Sequence, residues 1–187
     1  TDNIYTELSA KLKFECGEQE DALEFLGKIL DELRTYQGFQ TKEAITCEDK
    51  TIKELPMAQI FVLPLFIKGN QIQDLINSYF EPKKVTDNKQ VEMCGNQSII
   101  QRQETIDENN ELPKHLVLQI KRYGSGISYN NKLFNPVWLN HVITFGKSEY
   151  KLKGFIVHEG LTPNGGHYKY VKSITPEIRV GYNDKAF

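Results

Sequence analysis

The residues best suited to chemistry lie near the C-terminus. Gly165-Gly166-His167-Tyr168 follows a loop rich in Gly, Pro and Asn and opens an alternating run. An imidazole at a strand start, beside two residues with no side chain, is a general base next to a backbone that another extended chain can approach. Asn183 and Asp184 follow after a span that fits a strand, a turn and a return strand. Either side chain could accept the imidazole Nδ1 hydrogen, fixing the tautomer and leaving Nε2 to take a proton from a nucleophile. His158 stands on the other arm of the same hairpin, facing His167, so a metal held by the two is a rival reading. Against it, no Cys, Asp or Glu stands at ligand spacing around the pair. His115 and His141 sit at strand starts beside polar residues and read as structural or exposed.

The elements that must position these residues are helical early and extended later. Glu18–Arg34 places Ala22, Phe25, Leu26, Ile29, Leu30 and Leu33 on one helix face, with acidic residues in the first turn where the helix dipole favours them. Gln19, Glu20 and Asp21 are not required by that packing. Phe39–Thr51 reads as a strand with a turn around Cys47, Phe61–Ile67 as a buried strand, and Ile72–Phe80 as a helix with Ile72, Leu75, Ile76 and Tyr79 on one face. Glu81–Gln90 is a charged loop, and Val91–Ile106 gives two extended pieces around Cys94. His115–Tyr123 alternates as a half-buried strand, His141–Phe145 is a short one, and Tyr150–Lys172 forms the hairpin, with a loop too long for a two-residue turn. Ile178–Tyr182 is the last strand. Helices first and strands after make an α+β arrangement, not alternating βαβ units.

Composition limits the function classes. The 187 residues fit a single domain, 39% hydrophobic and 26% charged, with a net charge of −2. That charge argues against a nucleic-acid partner. No apolar run is long enough for a membrane span, and no signal peptide is expected. Three cysteines, Cys16, Cys47 and Cys94, show no framework spacing and suit a reducing cytoplasmic or nuclear setting.

Five stretches, in order, resemble the boxes of the ubiquitin-specific proteases, which are papain-like cysteine proteases. Gln19-Glu20-Asp21-Ala22-Leu23-Glu24-Phe25-Leu26 resembles the QQDAxEFL box, and Leu112-Pro113 with Leu116 and Ile120-Lys121-Arg122-Tyr123 resembles LPxxLxxxLKRF. Tyr150, Leu152, Gly154, Val157, His158 and Gly160 resemble the YxLxGVxxHxG strand. Gly166-His167-Tyr168 with Tyr170-Val171 resembles the GHYxAYV box, and Tyr182-Asn183-Asp184 the closing motif. The resemblance implies a thumb, finger and palm layout in one domain: a helical thumb part in 1–38, reduced fingers and a connecting helix in 39–111, and a palm with the histidine box in 112–187. It implies His167 as general base, Asn183 as its orienting partner and Asp184 as the second acid of that motif. Gln19 and Asp21 fall where the family grips the ubiquitin tail, Gly165 and Gly166 border the channel for its two glycines, and His158 and Tyr168 belong to the same substrate side. The implied partner is ubiquitin or a ubiquitin-like modifier, with no cofactor.

The chain also departs from the family pattern. The nucleophile box, GLxNxGNTCYxN, has no counterpart, and Cys16 does not match it in position. A Cys-His protease without its cysteine has nothing for the base to activate. One reading is an N-terminally incomplete peptidase whose nucleophile lies upstream of Thr1, on a segment that acts as a separate piece or as part of a longer chain. The other is an inactive module that binds ubiquitin or serves as a scaffold. Gln-Glu-Asp replaces QQD, and Arg179 stands where an aromatic residue is common. The two CxxC pairs of the family's zinc ribbon are reduced to Cys47 and Cys94, too few for a four-ligand site, so no metal is expected. A disulfide between them is disfavoured in a reducing compartment.

Overall fold

The computed structural model describes residues 7, 10–13, 21–33, 38–85, 92–95, 97–123, 132–162 and 165–182. Helices α1 (Ala22–Leu33) and α2 (Ile72–Phe80) accompany twelve strands among these residues, with further helical residues at 7 and 10–12. β1 (Phe39–Cys47), β2 (Ile52–Glu54), β3 (Ala58–Ile60), β5 (Lys83–Lys84) and β6 (Ile99–Ile106) form one sheet, ordered β2-β1-β6-β5 with β3 beside the start of β1. β4 (Leu63–Phe66) pairs in parallel with β7 (Leu118–Lys121), and β8 (Val142–Phe145) pairs antiparallel with β9 (Ser148–Lys151). β10 (Gly154–Thr162), β11 (Gly165–Ser173) and β12 (Arg179–Tyr182) make a three-stranded antiparallel sheet. The fold is α+β, as the order of helical and extended patterns implies.

The main core gathers Phe39, Leu63, Leu65, Ile72, Leu75, Ile76, Ile143 and Phe145. Leu63 and Leu65 alternate inward from β4, while Ile72, Leu75 and Ile76 supply the buried stripe of α2. Phe39 and Phe145 meet edge to face at 4.9 Å. A second, smaller cluster lies at the far end of the large sheet, where Ile45, Cys47, Cys94 and Ile99 bury one another against Leu55 and Val85.

Several elements differ from the sequence expectation. Tyr150 belongs to β9 and pairs with Ile143, so the hairpin begins only at Gly154. The two arms of that hairpin reach Thr162 and Gly165, leaving a two-residue connection in place of a long loop. A register shift between Glu159 and Thr162 lets β10 continue through its glycine. Lys83–Lys84 pairs with β6, although its charge suggested loop. Cys94 sits in a short 3-10 turn, Glu92–Cys94, not between extended pieces. Cys47 and Cys94 form a disulfide with their Cα atoms 5.7 Å apart. The pairing that a reducing compartment would disfavour is therefore present: β1 and the 3-10 turn end side by side within an apolar cluster, and the two cysteines lie within bridging reach of each other.

Candidate functional site

The hairpin register decides which side chains can act together. His158 lies opposite Tyr168, and Glu159 lies opposite His167. Successive strand residues face opposite sides. His158 and Tyr168 therefore share one face with Ile156 and Tyr170, while His167 shares the other with Glu159 and Lys169. Glu159 and Lys169 form a 2.6 Å ion pair there. The expectation that His158 and His167 face each other is overturned, and with it the two-histidine metal reading. Among the described residues no group of three or more His, Cys, Asp or Glu could hold a metal ion.

Asp21 joins the His158 face from the other end of the chain. Its Oδ1 accepts hydrogen bonds from the backbone N–H groups of Leu23 at 2.9 Å and Glu24 at 3.0 Å, capping the first turn of α1. Its Oδ2 accepts the Tyr168 hydroxyl at 2.7 Å. One carboxylate thus ties the start of α1 to the histidine box. Burial works to raise the Asp21 pKa, but the Tyr168 hydroxyl, the two backbone N–H groups and the His158 charge outweigh it and hold the carboxyl below its usual value. Burial and that same bond push Tyr168 up to about 12.

His158 sits at the centre of the face. Its ring lies 4.8 Å from the Tyr168 ring. Its Nδ1 meets the Tyr123 hydroxyl at 3.2 Å and the Lys132 ammonium at 3.4 Å. An ammonium has no acceptor to offer, so Nδ1 accepts and the ring proton belongs on Nε2. Burial first, and the Lys132 charge second, lower the His158 pKa against the opposing pull of Asp21.

The two glycines before His167 differ. Gly166 has φ +150°, and a Cβ there would run into the His158 ring, the Glu159 carbonyl and the Gly160 Cα. Its bare side is filled by the chain itself. Among the described residues Gly165 meets only Thr162 Oγ1, at an ordinary 3.7 Å, and leaves its side open to the rest of them. Arg179, in place of the aromatic residue, lays its guanidinium 5.7 Å from the centre of the Phe155 ring.

The structure thus brings Asp21, His158 and Tyr168 together and sets His167 on the opposite face of the same hairpin. Gln19, Asn183, Asp184 and Cys16 lie outside the described residues. Sequence reasoning missed Tyr123 as a partner of His158, although it closes the Ile120-Lys121-Arg122-Tyr123 box. Lys132 carried no sequence signal, standing in a polar stretch with no motif. A groove of about 1870 Å³ runs past Asp21, Tyr123, Lys132, His158 and Tyr168.

The fold aligns with the solved Ubp8/Sgf11/Sus1/Sgf73 DUB module of SAGA bound to ubiquitin aldehyde, with TM-score 0.70 and 22% identity over 89% of this chain and 44% of that one. That makes it the papain-like cysteine protease fold of ubiquitin-specific type. The chain belongs to the ubiquitin carboxyl-terminal hydrolase family, whose model matches residues 3–186. It is 29% identical over 150 residues to ubiquitin carboxyl-terminal hydrolase 13 of Saccharomyces cerevisiae, covering 71% of this chain and 19% of that protein. It is 28% identical over 138 residues to ubiquitin carboxyl-terminal hydrolase 9 of the same yeast, covering 67% of this chain and 18% of that protein. The chain therefore spans about a fifth of the length of these relatives. Among the described residues no helix is long and apolar enough to cross a membrane.

Proposed function

We propose that this chain is part of a deubiquitinase-type cysteine peptidase that cleaves the bond after the C-terminal glycine of ubiquitin, with the nucleophilic cysteine supplied from outside these residues. The observation that carries the reading is the Tyr168–Asp21 hydrogen bond at 2.7 Å, which joins two boxes 147 residues apart. A substrate tail lying along that face would meet a carboxylate, a tyrosine and the open side of Gly165. The cysteine assignment gains support from the fingertip, because Cys47 and Cys94 are buried and bonded to each other. A bonded sulfur is no nucleophile.

In this scheme the external thiolate attacks the carbonyl carbon of the ubiquitin glycine, and His167 moves the proton from thiol to leaving amine. Asn183 holds the imidazole, with Asp184 beside it, while Asp21, Gln19, His158, Tyr168 and the open side of Gly165 line the tail, and Gly166 offers it backbone alone because its Cβ side is filled. The thumb, finger and palm division at 1–38, 39–111 and 112–187 belongs to the same proposal. A cytoplasmic or nuclear setting rests on ubiquitin as partner, because the disulfide removes the cysteine argument for a reducing compartment.

The test is to react the protein that contains this chain with ubiquitin bearing an electrophilic C-terminus. The expected adduct forms on a cysteine other than Cys16, Cys47 or Cys94, and His167→Ala slows labelling by about 10²–10⁴-fold. Ubiquitin that binds but is never captured makes the chain a non-catalytic binding or scaffold module. An adduct on one of the three named cysteines overturns the assignment of the nucleophile.

A further inference from the structure

Among the described residues β10 is an edge strand, so alternate carbonyls along it point away from β11 with no ladder partner there. His158 and Gly160 carry two successive carbonyls of this kind, at the point where the register shifts. Lys132 fills the gap. Its Nζ donates to the His158 carbonyl at 2.5 Å and to the Gly160 carbonyl at 2.9 Å, and faces His158 Nδ1 at 3.4 Å. An ammonium has three donors, and three acceptors are set around this one. The lysine itself is placed by a backbone bridge to Tyr123, whose hydroxyl meets the same ring nitrogen.

We propose that Lys132 is a positioning residue for the histidine box: its ammonium ties the bulged end of β10 to the His158 ring, and so fixes the backbone from which His167 projects. The link to His167 is steric. Held from the Nδ1 side, the His158 ring occupies the space a Cβ would need at Gly166, the residue before His167. The ring also packs on Tyr168, the residue after it. Both neighbours of His167 are thus held by one ring, and that ring by one cation. Gly160, whose carbonyl Lys132 also holds, would meet the Gly165 carbonyl and Gly166 Cα if it carried a Cβ. The clamp thus acts where the two arms are closest. What the positioned histidine does rests on the deubiquitinase reading, but the clamp can be tested without ubiquitin.

The experiment follows the ring Cε1–H signals of His158 and His167 by NMR between pH 4.5 and 8.5, in the whole chain and in Lys132→Met and Lys132→Arg. The groups facing His158 are Asp21, Tyr123, Lys132 and Tyr168. Loss of the cation removes one of the two causes that depress the His158 titration, so its midpoint rises in Lys132→Met. The His167 signal moves with it. Lys132→Arg, which keeps charge and donors, returns both toward wild type. A lysine that acts on His158 through its charge alone would move the His158 midpoint and leave the His167 signal where it was. An unmoved His158 midpoint overturns the proposal, and so does a His167 signal that ignores the change. Should Lys132→Met fail to fold, Lys132→Gln is neutral, keeps donors for the carbonyls and carries the same readout. Failure of wild-type protein to bind ubiquitin would overturn the functional reading and leave this result standing.

Discussion

The fingertip and the histidine hairpin are held by opposite means. At the fingertip, Ile45, Cys47, Cys94 and Ile99 are all within 5% of complete burial, and a covalent bond joins β1 to the turn beyond β5. At the hairpin, Ile156, Tyr170 and Tyr182 are exposed, and the fixed points are polar: Tyr168 to Asp21, Lys132 to two carbonyls, Glu159 to Lys169. A dry cluster with a crosslink holds a shape and offers no reactive group. A half-wet hairpin offers titratable groups and depends on each of them for its shape. The fingertip would survive changes of pH and salt that loosen the hairpin, and the hairpin would survive reduction that loosens the fingertip.

The sharpest way to break that contrast is to remove the crosslink. The bridged residues are 47 apart in sequence, and closing a loop of that size stabilises the fold by about 4 kcal/mol in the chain-entropy account. Cys47→Ala with Cys94→Ala should lower the urea-unfolding free energy by up to that amount, a large share of a typical domain's stability. Amide exchange should accelerate in the outer halves of β1 and β6. The His158 and Tyr168 signals should stay in place. Equal acceleration at β10 and β11 would show that the two regions are one cooperative unit.

A smaller effect is expected at the hairpin glycines. Gly166→Ala forces a side chain onto φ +150° and into the His158 ring. Backbone strain of this kind costs about 1–3 kcal/mol, before any displacement of the ring. Gly165→Ala meets only Thr162 Oγ1 at 3.7 Å and should leave thermal stability near wild type. The pair separates a glycine kept for the fold from one free to serve a ligand. Similar losses of Tm in both variants would remove that distinction.

How much of this was legible in the sequence follows the same division. α2 was readable because Ile72, Leu75, Ile76 and Tyr79 repeat at helical spacing, and its bounds agree with the pattern. β4 was readable as a strand from continuous apolar content, but only Leu63 and Leu65 are buried, and Phe61 and Phe66 are exposed against the expectation of a buried run. β2 and β5 were not, because they are short and every residue is exposed, so pairing alone defines them. Tyr150 was drawn into the hairpin because the alternation runs on unbroken through Leu152, while the backbone changes partner there: Leu152 N–H donates to the His141 carbonyl at 2.8 Å. Of the site, Asp21, His158 and Tyr168 stood in recognisable boxes. That His158 and His167 face opposite ways needed the register, which a shift beyond Glu159 and an undersized loop conceal. Lys132 was invisible for a plainer reason: its partners are mainly backbone carbonyls, and a carbonyl is present at every residue.

The smallest expected effect tests whether the polar ties contribute as the contrast requires. Tyr168→Phe deletes one hydrogen bond to a carboxylate, and because the bond is exposed its loss should cost only about 0.5–1 kcal/mol at neutral pH. The pH dependence is the more telling readout. Asp21 titrates lower in the folded chain than an aspartate free in water. Its bonds therefore stabilise fully above the unfolded pKa, and that contribution is lost as pH falls through the folded one. The Tyr168 hydroxyl is the largest of the causes that lower it. Wild type and Tyr168→Phe should thus differ at pH 7 and converge as pH falls below the lowered folded pKa of Asp21, with the steeper acid loss in wild type. A difference that stays constant down the acid limb would mean that Tyr168 acts by packing on His158 and not through Asp21, and the tie between α1 and the histidine box would have to be sought elsewhere.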